Sequence, residues 1–333
     1  MKIAYLFIAH NHPALLAGTI AKLNSENALF YIHIDLKSDQ VLFAKALLGI
    51  DAKIEFVQAR QSIYWMGYSM VAASLELMRL ARASTLEAAI HVDYFVLLSG
   101  MDYPIKTNKE IERTLSESRG TNYLMFWRLE DLPDWLHKVQ QYHYLNSKWH
   151  NQRVAHVFFG KVQLPFHRVE RIRRFLHRFL PKRQVPRDLV PYGGSQWWML
   201  TSEAVEYTLD FLENAPEVET FFRFTHSPDE LVMQTILMNS PFRDSIHGRE
   251  HYDRFIDAWK NDGDADFVTD RARNFNLRFI DWEPNREFPS VLDERDYQAI
   301  KTSACLFARK FDPVRSQKLI ELINQGHDAN CLS

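Results

Sequence analysis

Within the first hundred residues, apolar runs of strand length alternate with helical patterns, and each run stops at a polar turn. Residues Lys2 to Ala9 are nearly all apolar, His10-Asn11-His12-Pro13 interrupts them, and Leu15, Leu16, Ile20 and Leu23 then recur at helical spacing. Leu29 to Ile34 forms the next run and ends at Asp35. Ile54 to Val57 leads through Ser62-Ile-Tyr-Trp-Met-Gly67 into a helical candidate from Tyr68 to Ser84. His91 to Leu98 is a further strand candidate, closed by Ser99-Gly-Met-Asp-Tyr-Pro104. Strands alternating with helices at this spacing predict an α/β domain around a mainly parallel or mixed sheet. Asp35 and the turn after Leu98 then fall at the carboxyl edge, where open α/β sheets bind ligands.

The rest of the chain is less regular. From Lys148 to Arg187 there are 11 Lys and Arg against the single acid Glu170, with apolar residues at Val169, Ile172, Leu176 and Phe179. That spacing predicts a helix anchored to its own protein with its cations in solvent; recognition of an anionic membrane or polymeric anion is the alternative, ahead of specific nucleic-acid recognition. Tyr192 to Leu200 carries two glycines and adjacent indoles, its second half reading as a short strand before a helix from Ser202 to Leu212. Ser227-Pro-Asp-Glu230 has capping-box spacing at the head of a helix through Met238, with Ser227 as N-cap and Pro228 at N1. Leu277 to Trp282 and Cys305 to Phe311 are strand-like. No fixed-period repeat or linker divides the chain, so residues 1–315 read as a single domain with a basic elaboration around 145–190, and 316–333 as a C-terminal helix and tail.

Composition excludes several classes. With 40 Lys and Arg against 42 Asp and Glu, the formal net charge of -2 gives no global attraction to nucleic acid, and none is expected as a partner. Two cysteines are too few for a disulfide framework or a four-thiolate metal site. Neither a signal-peptide pattern nor an apolar run of about 20 residues is found, so the expected location is cytoplasmic, with contact at the inner face of the membrane at most. The sequence contains no H-E-x-x-H, C-x-x-C, G-x-x-x-x-G-K-[ST] or G-x-G-x-x-G motif, which removes the direct signals for zinc hydrolase, P-loop nucleotidase and ordinary dinucleotide chemistry. Asp264-Ala-Asp266 offers carboxylates at metal-binding spacing, with solvent exposure as the plainer reading.

Taken singly, the polar candidates are ambiguous. Asp35 suits either a ribose contact or a loop cap, and Glu230 either a general base or the reciprocal arm of its capping box. Arg278, Arg309 and Lys310 could oppose diphosphate charge or form surface ion pairs. Five strings in a fixed order sharpen the choice: Ser99-Gly-Met-Asp-Tyr-Pro-Ile105, Gly194-Ser-Gln-Trp197, Ser227-Pro-Asp-Glu230, Leu277-Arg-Phe-Ile-Asp-Trp282 and Phe307-Ala-Arg-Lys-Phe-Asp312. Together they resemble the core-2/I-branching glycosyltransferase family, which includes peptide O-xylosyltransferases, over nearly the whole chain.

That resemblance implies a GT-A-like fold and an inverting, metal-independent transfer from a UDP-sugar, either UDP-N-acetylglucosamine or UDP-xylose, with no cofactor. The acceptor would be a hydroxyl of a glycan, a lipid-linked glycan or a peptide. It implies that Glu230 is the catalytic base and that His10, Asp35, Tyr64, Arg278 and Lys310 hold the donor. Asp102, Ser195 and Trp197 fall on its acceptor side. The membrane anchor, stem and many cysteines of animal members have no counterpart here, which suggests a compact bacterial member acting in surface-glycan synthesis. UDP-sugar hydrolysis and noncatalytic carbohydrate binding are the competing functions.

Overall fold

The computed structural model describes residues 1–143, 145–146, 182–261, 275–281 and 290–331. Most of the basic elaboration, the Asp264/Asp266 pair and Trp282 lie outside the described residues.

The expected alternation is present. β1 (Ile3–Ala9), α1 (Pro13–Leu23), β2 (Ala28–Ile34), α2 (Gln40–Ala46), β3 (Ile54–Phe56), α3 (Ser69–Glu87) and β4 (Tyr94–Ser99) follow in order. Then come β5 (Asp102–Pro104), α4 (Asn108–Glu117), β6 (Tyr123–Arg128), α5 (His137–Gln140), β7 (Tyr192–Thr201), α6 (Ser202–Asn214) and α7 (Pro216–Phe222). The last elements are α8 (Val232–Met238), α9 (Tyr252–Lys260), β8 (Arg278–Ile280), α10 (Tyr297–Thr302), β9 (Phe307–Arg309) and α11 (Gln317–Cys331).

Six strands form the main sheet in the order β3-β2-β1-β4-β7-β6. β3, β2, β1 and β4 run parallel, while β7 is antiparallel to both β4 and β6. This is the mixed α/β sheet expected from the sequence. β1 and β2 are buried at every position, as strands covered on both faces must be, which explains their almost wholly apolar composition, broken in β2 by His33. The strand order reverses at β1, and a crevice for ligand opens where connections leave a sheet in opposite directions. Because β7 runs against β4, its first residues, Tyr192 to Gln196, share an edge with the carboxyl ends of β1, β2 and β4.

A second sheet, β5-β9-β8, abuts that edge. Asp102 of β5 and Ile280 of β8 both stand in register with Arg309 of β9. Two glycines permit these approaches. A Cβ on Gly100 would lie 2.8 Å from Cβ of Ala9, and one on Gly194 would meet the Met125 carbonyl oxygen at 1.8 Å, where the β6–β7 register shifts. β7 is a strand throughout, so the glycines of its first half serve close sheet packing and not a loop.

Candidate active site

The edge gathers the first group of expected residues. The Asp35 backbone N–H donates to Ala9 O at 2.8 Å, setting the aspartate just past β2 and beside the end of β1. Its carboxylate accepts from the Lys37 backbone N–H at 2.9 Å and from Lys37 Nζ at 2.7 Å. Lys37 Nζ also sits 4.7 Å from the centre of the Tyr64 ring, and the Tyr64 N–H donates to Ser69 Oγ at 2.8 Å. His10 belongs to the same corner: partial desolvation lowers its pKa, Asp35 opposes that, and the charges of His12, Lys310 and Lys37 add to the lowering. Lys310, three hundred residues downstream, is therefore within electrostatic reach of His10. Its backbone is fixed by bonds with Ser290 and Leu292, and the following Phe311 N–H donates to Met101 O at 2.8 Å. His10, Asp35, Tyr64 and Lys310 are thus brought to one corner.

Arg278 and Asp102 are placed differently. Both side chains are 0% exposed, and Arg278 Nη1 donates to Asp102 Oδ2 at 2.8 Å while Nη2 donates to Leu97 O at 3.0 Å. The other carboxylate oxygen of Asp102 lies 3.3 Å from Ser99 Oγ, and the Ser99 N–H donates to Oδ2 at 2.9 Å. Arg278 was expected at the diphosphate and Asp102 at the acceptor; in this structure each is committed to the other beneath the surface. Burial pulls Arg278 down to about 10, with Asp102 acting against it. Sequence reading could not separate a ligand arginine from this one, because strand position gives the face of a side chain and not its depth.

Arg309 stands on β9, the strand between theirs in the small sheet. Its Nε lies 3.7 Å from Asp102 Oδ1, its guanidinium carbon 4.3 Å from the Trp197 ring centre, and its side chain is 15% exposed. Two guanidinium groups thus share one carboxylate. Nη1 of Arg309, like Nε of Arg278, is buried and finds no acceptor among the described residues.

Ser195 and Trp197 connect this corner to the base candidate. The Trp197 N–H donates to Ser195 Oγ at 3.3 Å, and Ser195 O accepts from Gln234 Nε2 of α8 at 2.7 Å. α8 follows the 3-10 turn Pro228–Glu230. The expected capping box is absent: Ser227 is left-handed at φ 47, ψ 55, makes no side-chain cap, and bonds through Oγ to His226 Nδ1 at 3.0 Å. One continuous helix through Met238 is also not formed, since Leu231, at φ -132, separates the turn from α8. Glu230 instead accepts from Lys138 Nζ at 2.8 Å and remains 35% exposed. The Ser227 N–H donates to Met66 O at 3.0 Å, so the Tyr64-to-Gly67 loop touches both the Asp35 corner and the base turn.

Asp229, next to Glu230, faces inward, one buried oxygen having no hydrogen-bond partner among the described residues. Burial and the Glu230 charge push its pKa up to about 7, with Lys138 opposing. Lys138 itself was not singled out by sequence, since nothing marks one lysine of a short helix as the partner of an acid 92 residues away. Among the described residues no group of three or more His, Cys, Asp or Glu could hold a metal ion, and no helix is long and apolar enough to cross a membrane.

Comparison with known proteins gives a consistent picture. Residues 3–301 match the family model described as Core-2/I-Branching enzyme. Among curated proteins, xylosyltransferase 2 of Rattus norvegicus is 24% identical over 97% of this chain and 33% of its own length. Xylosyltransferase 2 of Mus musculus is 26% identical over 97% and 33%, and xylosyltransferase 1 of Homo sapiens 24% over 96% and 30%. The chain thus spans about a third of the length of these relatives. Two solved structures overlap it slightly. Glucosyl-3-phosphoglycerate synthase from Mycobacterium tuberculosis, in complex with Mn2+, UDP-glucose and phosphoglyceric acid, gives a TM-score of 0.27 at 11% identity over 66% of this chain and 67% of that one. Apo mouse xyloside xylosyltransferase 1 gives 0.29 at 14% over 72% and 83%. Scores this low carry no functional argument.

Proposed function

Because the chain belongs to the Core-2/I-branching enzyme family, we propose that it is a glycosyltransferase that moves a sugar from a UDP donor to an acceptor hydroxyl with inversion. The carrying observation is the shared edge: an aspartate, a histidine and a lysine from three distant parts of the chain meet there, and the Tyr64-to-Gly67 loop links them to a partly exposed glutamate.

Asp35 and Tyr64 hold the nucleotide, the carboxylate accepting from ribose or base and the ring offering a face for packing. Lys310 and Arg309 face the diphosphate, replacing the expected pairing of Lys310 with Arg278. The partial exposure of the Arg309 side chain, 15% against 0% for Arg278, favours this assignment, and Arg278 with Asp102 forms the brace beneath. Charge accumulates on the diphosphate as the glycosidic bond breaks, so cations fixed in advance act on the transition state more than on the ground state. Glu230 removes the proton from the acceptor hydroxyl as its oxygen attacks the anomeric carbon opposite departing UDP. One displacement gives inversion, with no covalent enzyme intermediate. Ser195 and Trp197 border the acceptor side.

The relatives named above are xylosyltransferases, which favours xylose over N-acetylglucosamine as the donor sugar. Metal independence belongs to the same proposal, as do a cytoplasmic location and a role in bacterial surface-glycan synthesis. Purified protein screened with labelled UDP-xylose and UDP-N-acetylglucosamine against hydroxyl acceptors, after exhaustive chelation, is expected to form a new glycoside. Release of free sugar without one would instead mark a hydrolase. Activity returning only with manganese or magnesium would end the metal-free reading.

A further inference from the structure

The function so far assigned gives Glu230 its chemistry but does not explain why its carboxylate stays at the site. The local sequence supplies another destination, the N-cap of its own helix, and the structure does not use it. What holds the side chain is Lys138. Its Nζ lies 2.8 Å from Glu230 Oε2 and 3.4 Å from the centre of the Trp135 ring, and the lysine side chain is only 10% exposed. An ammonium packed on an indole and shielded from water has few alternative positions, so it fixes the carboxylate it meets.

The backbone reinforces this. The His226 N–H donates to Lys138 O at 3.2 Å and the His143 N–H to Phe224 O at 2.9 Å, zipping the segment around α5 to the approach of the Glu230 turn. Arg183 crosses both, donating through Nη1 to Gln141 O at 3.0 Å and to Phe224 O at 2.7 Å. Asp229 is the other acid near Lys138, its pKa raised by burial, but it is the Glu230 carboxylate that Lys138 Nζ bonds, at 2.8 Å.

We propose that Lys138 is the positioning residue of the Glu230 base, seated on Trp135 and holding the carboxylate toward the acceptor hydroxyl without itself touching substrate. This rests on the reading of Glu230 as the base. Lys138 attracts Glu230 while it is an anion and loses that attraction when Glu230 takes the acceptor's proton, so the contact loosens as the product forms.

A rate cycle on purified protein tests it, using Lys138→Met, Glu230→Gln and the double variant, with UDP binding measured separately. Lys138→Met is expected to lower kcat about tenfold or more while the UDP Kd changes less than about twofold, and Lys138→Arg to recover most of the loss. In the Glu230→Gln background, Lys138→Met should cost less than about twofold, because the lysine acts through that carboxylate. If Lys138→Met does not fold, Lys138→Gln takes its place in the cycle. Wild-type kcat in a folded Lys138→Met, or losses that multiply fully in the double variant, would overturn the role of Lys138 alone. A wild-type chain that binds UDP yet turns over neither UDP-xylose nor UDP-N-acetylglucosamine would remove the base reading and this inference with it.

Discussion

Thr107 and Ser227 open the same sequence pattern, a hydroxyl residue followed three positions later by glutamate, and the chain uses them in opposite ways. At Thr107 the backbone is extended, at φ -68, ψ 157, and the capping box closes: the Thr107 N–H donates to Glu110 Oε2 at 2.8 Å and the Glu110 N–H to Thr107 Oγ1 at 3.3 Å. At Ser227 the backbone is left-handed, Pro228 removes one N–H, and the box stays open. The glutamate that is spared capping is the one left 35% exposed beside a buried lysine. A local motif states what a side chain can do; the backbone conformation decides whether it is released for other work.

A similar contrast separates the two cationic groups. Arg278 is wholly internal and Arg309 reaches the edge, although the two stand on neighbouring strands of one small sheet. The brace is a buried ion pair, whereas Arg309 keeps 15% of its side chain exposed.

Breaking the brace should have the largest effect on stability. Asp102→Ala leaves Arg278 and Arg309 without their carboxylate, and a loss of about 3–5 kcal/mol is expected in denaturant unfolding. Arg309→Ala should instead weaken UDP binding, by about tenfold to a hundredfold as befits a lost charge-assisted hydrogen bond, with less effect on unfolding. Equal and small effects of the two substitutions on UDP affinity and stability would erase the distinction between brace and ligand group.

The Asp229 acid predicts a pH dependence. Its folded pKa, about 7, lies above the unfolded value of about 3.9, so the folded state holds the proton longer. Its contribution is therefore most favourable at low pH, declines as pH rises from about 4, and levels off above about 7. Asp229→Asn should flatten that decline in unfolding curves recorded across the interval; an unchanged slope would mean that another group is responsible. The smallest effect is assigned to Ser227→Ala. Loss of a working N-cap costs typically about 1 kcal/mol, whereas here a change within about 0.5 kcal/mol is expected, against a full capping loss for Thr107→Ala.

These contrasts also mark what the sequence could express. β1, β2 and β4 were legible because burial on both faces writes itself as an apolar run, and Asp35 was legible as the polar residue that ends one. The open capping box was not, because one residue's φ is invisible in a pattern that fits both outcomes. Lys138 was hidden for a different reason: its partner is 92 residues away, and long-range ion pairs leave no local periodicity. Arg278 was expected at the donor and Arg309 was not; depth below a surface is set by packing against Trp197 and Asp102 and not by neighbours in the chain.

The most direct test compares Glu230→Gln with wild type in one assay that reads glycoside formation and UDP binding together. The account predicts a folded variant that binds UDP within about twofold of wild type and forms product about a hundredfold to ten-thousandfold more slowly. Glycoside formation by that variant at the wild-type rate would contradict it.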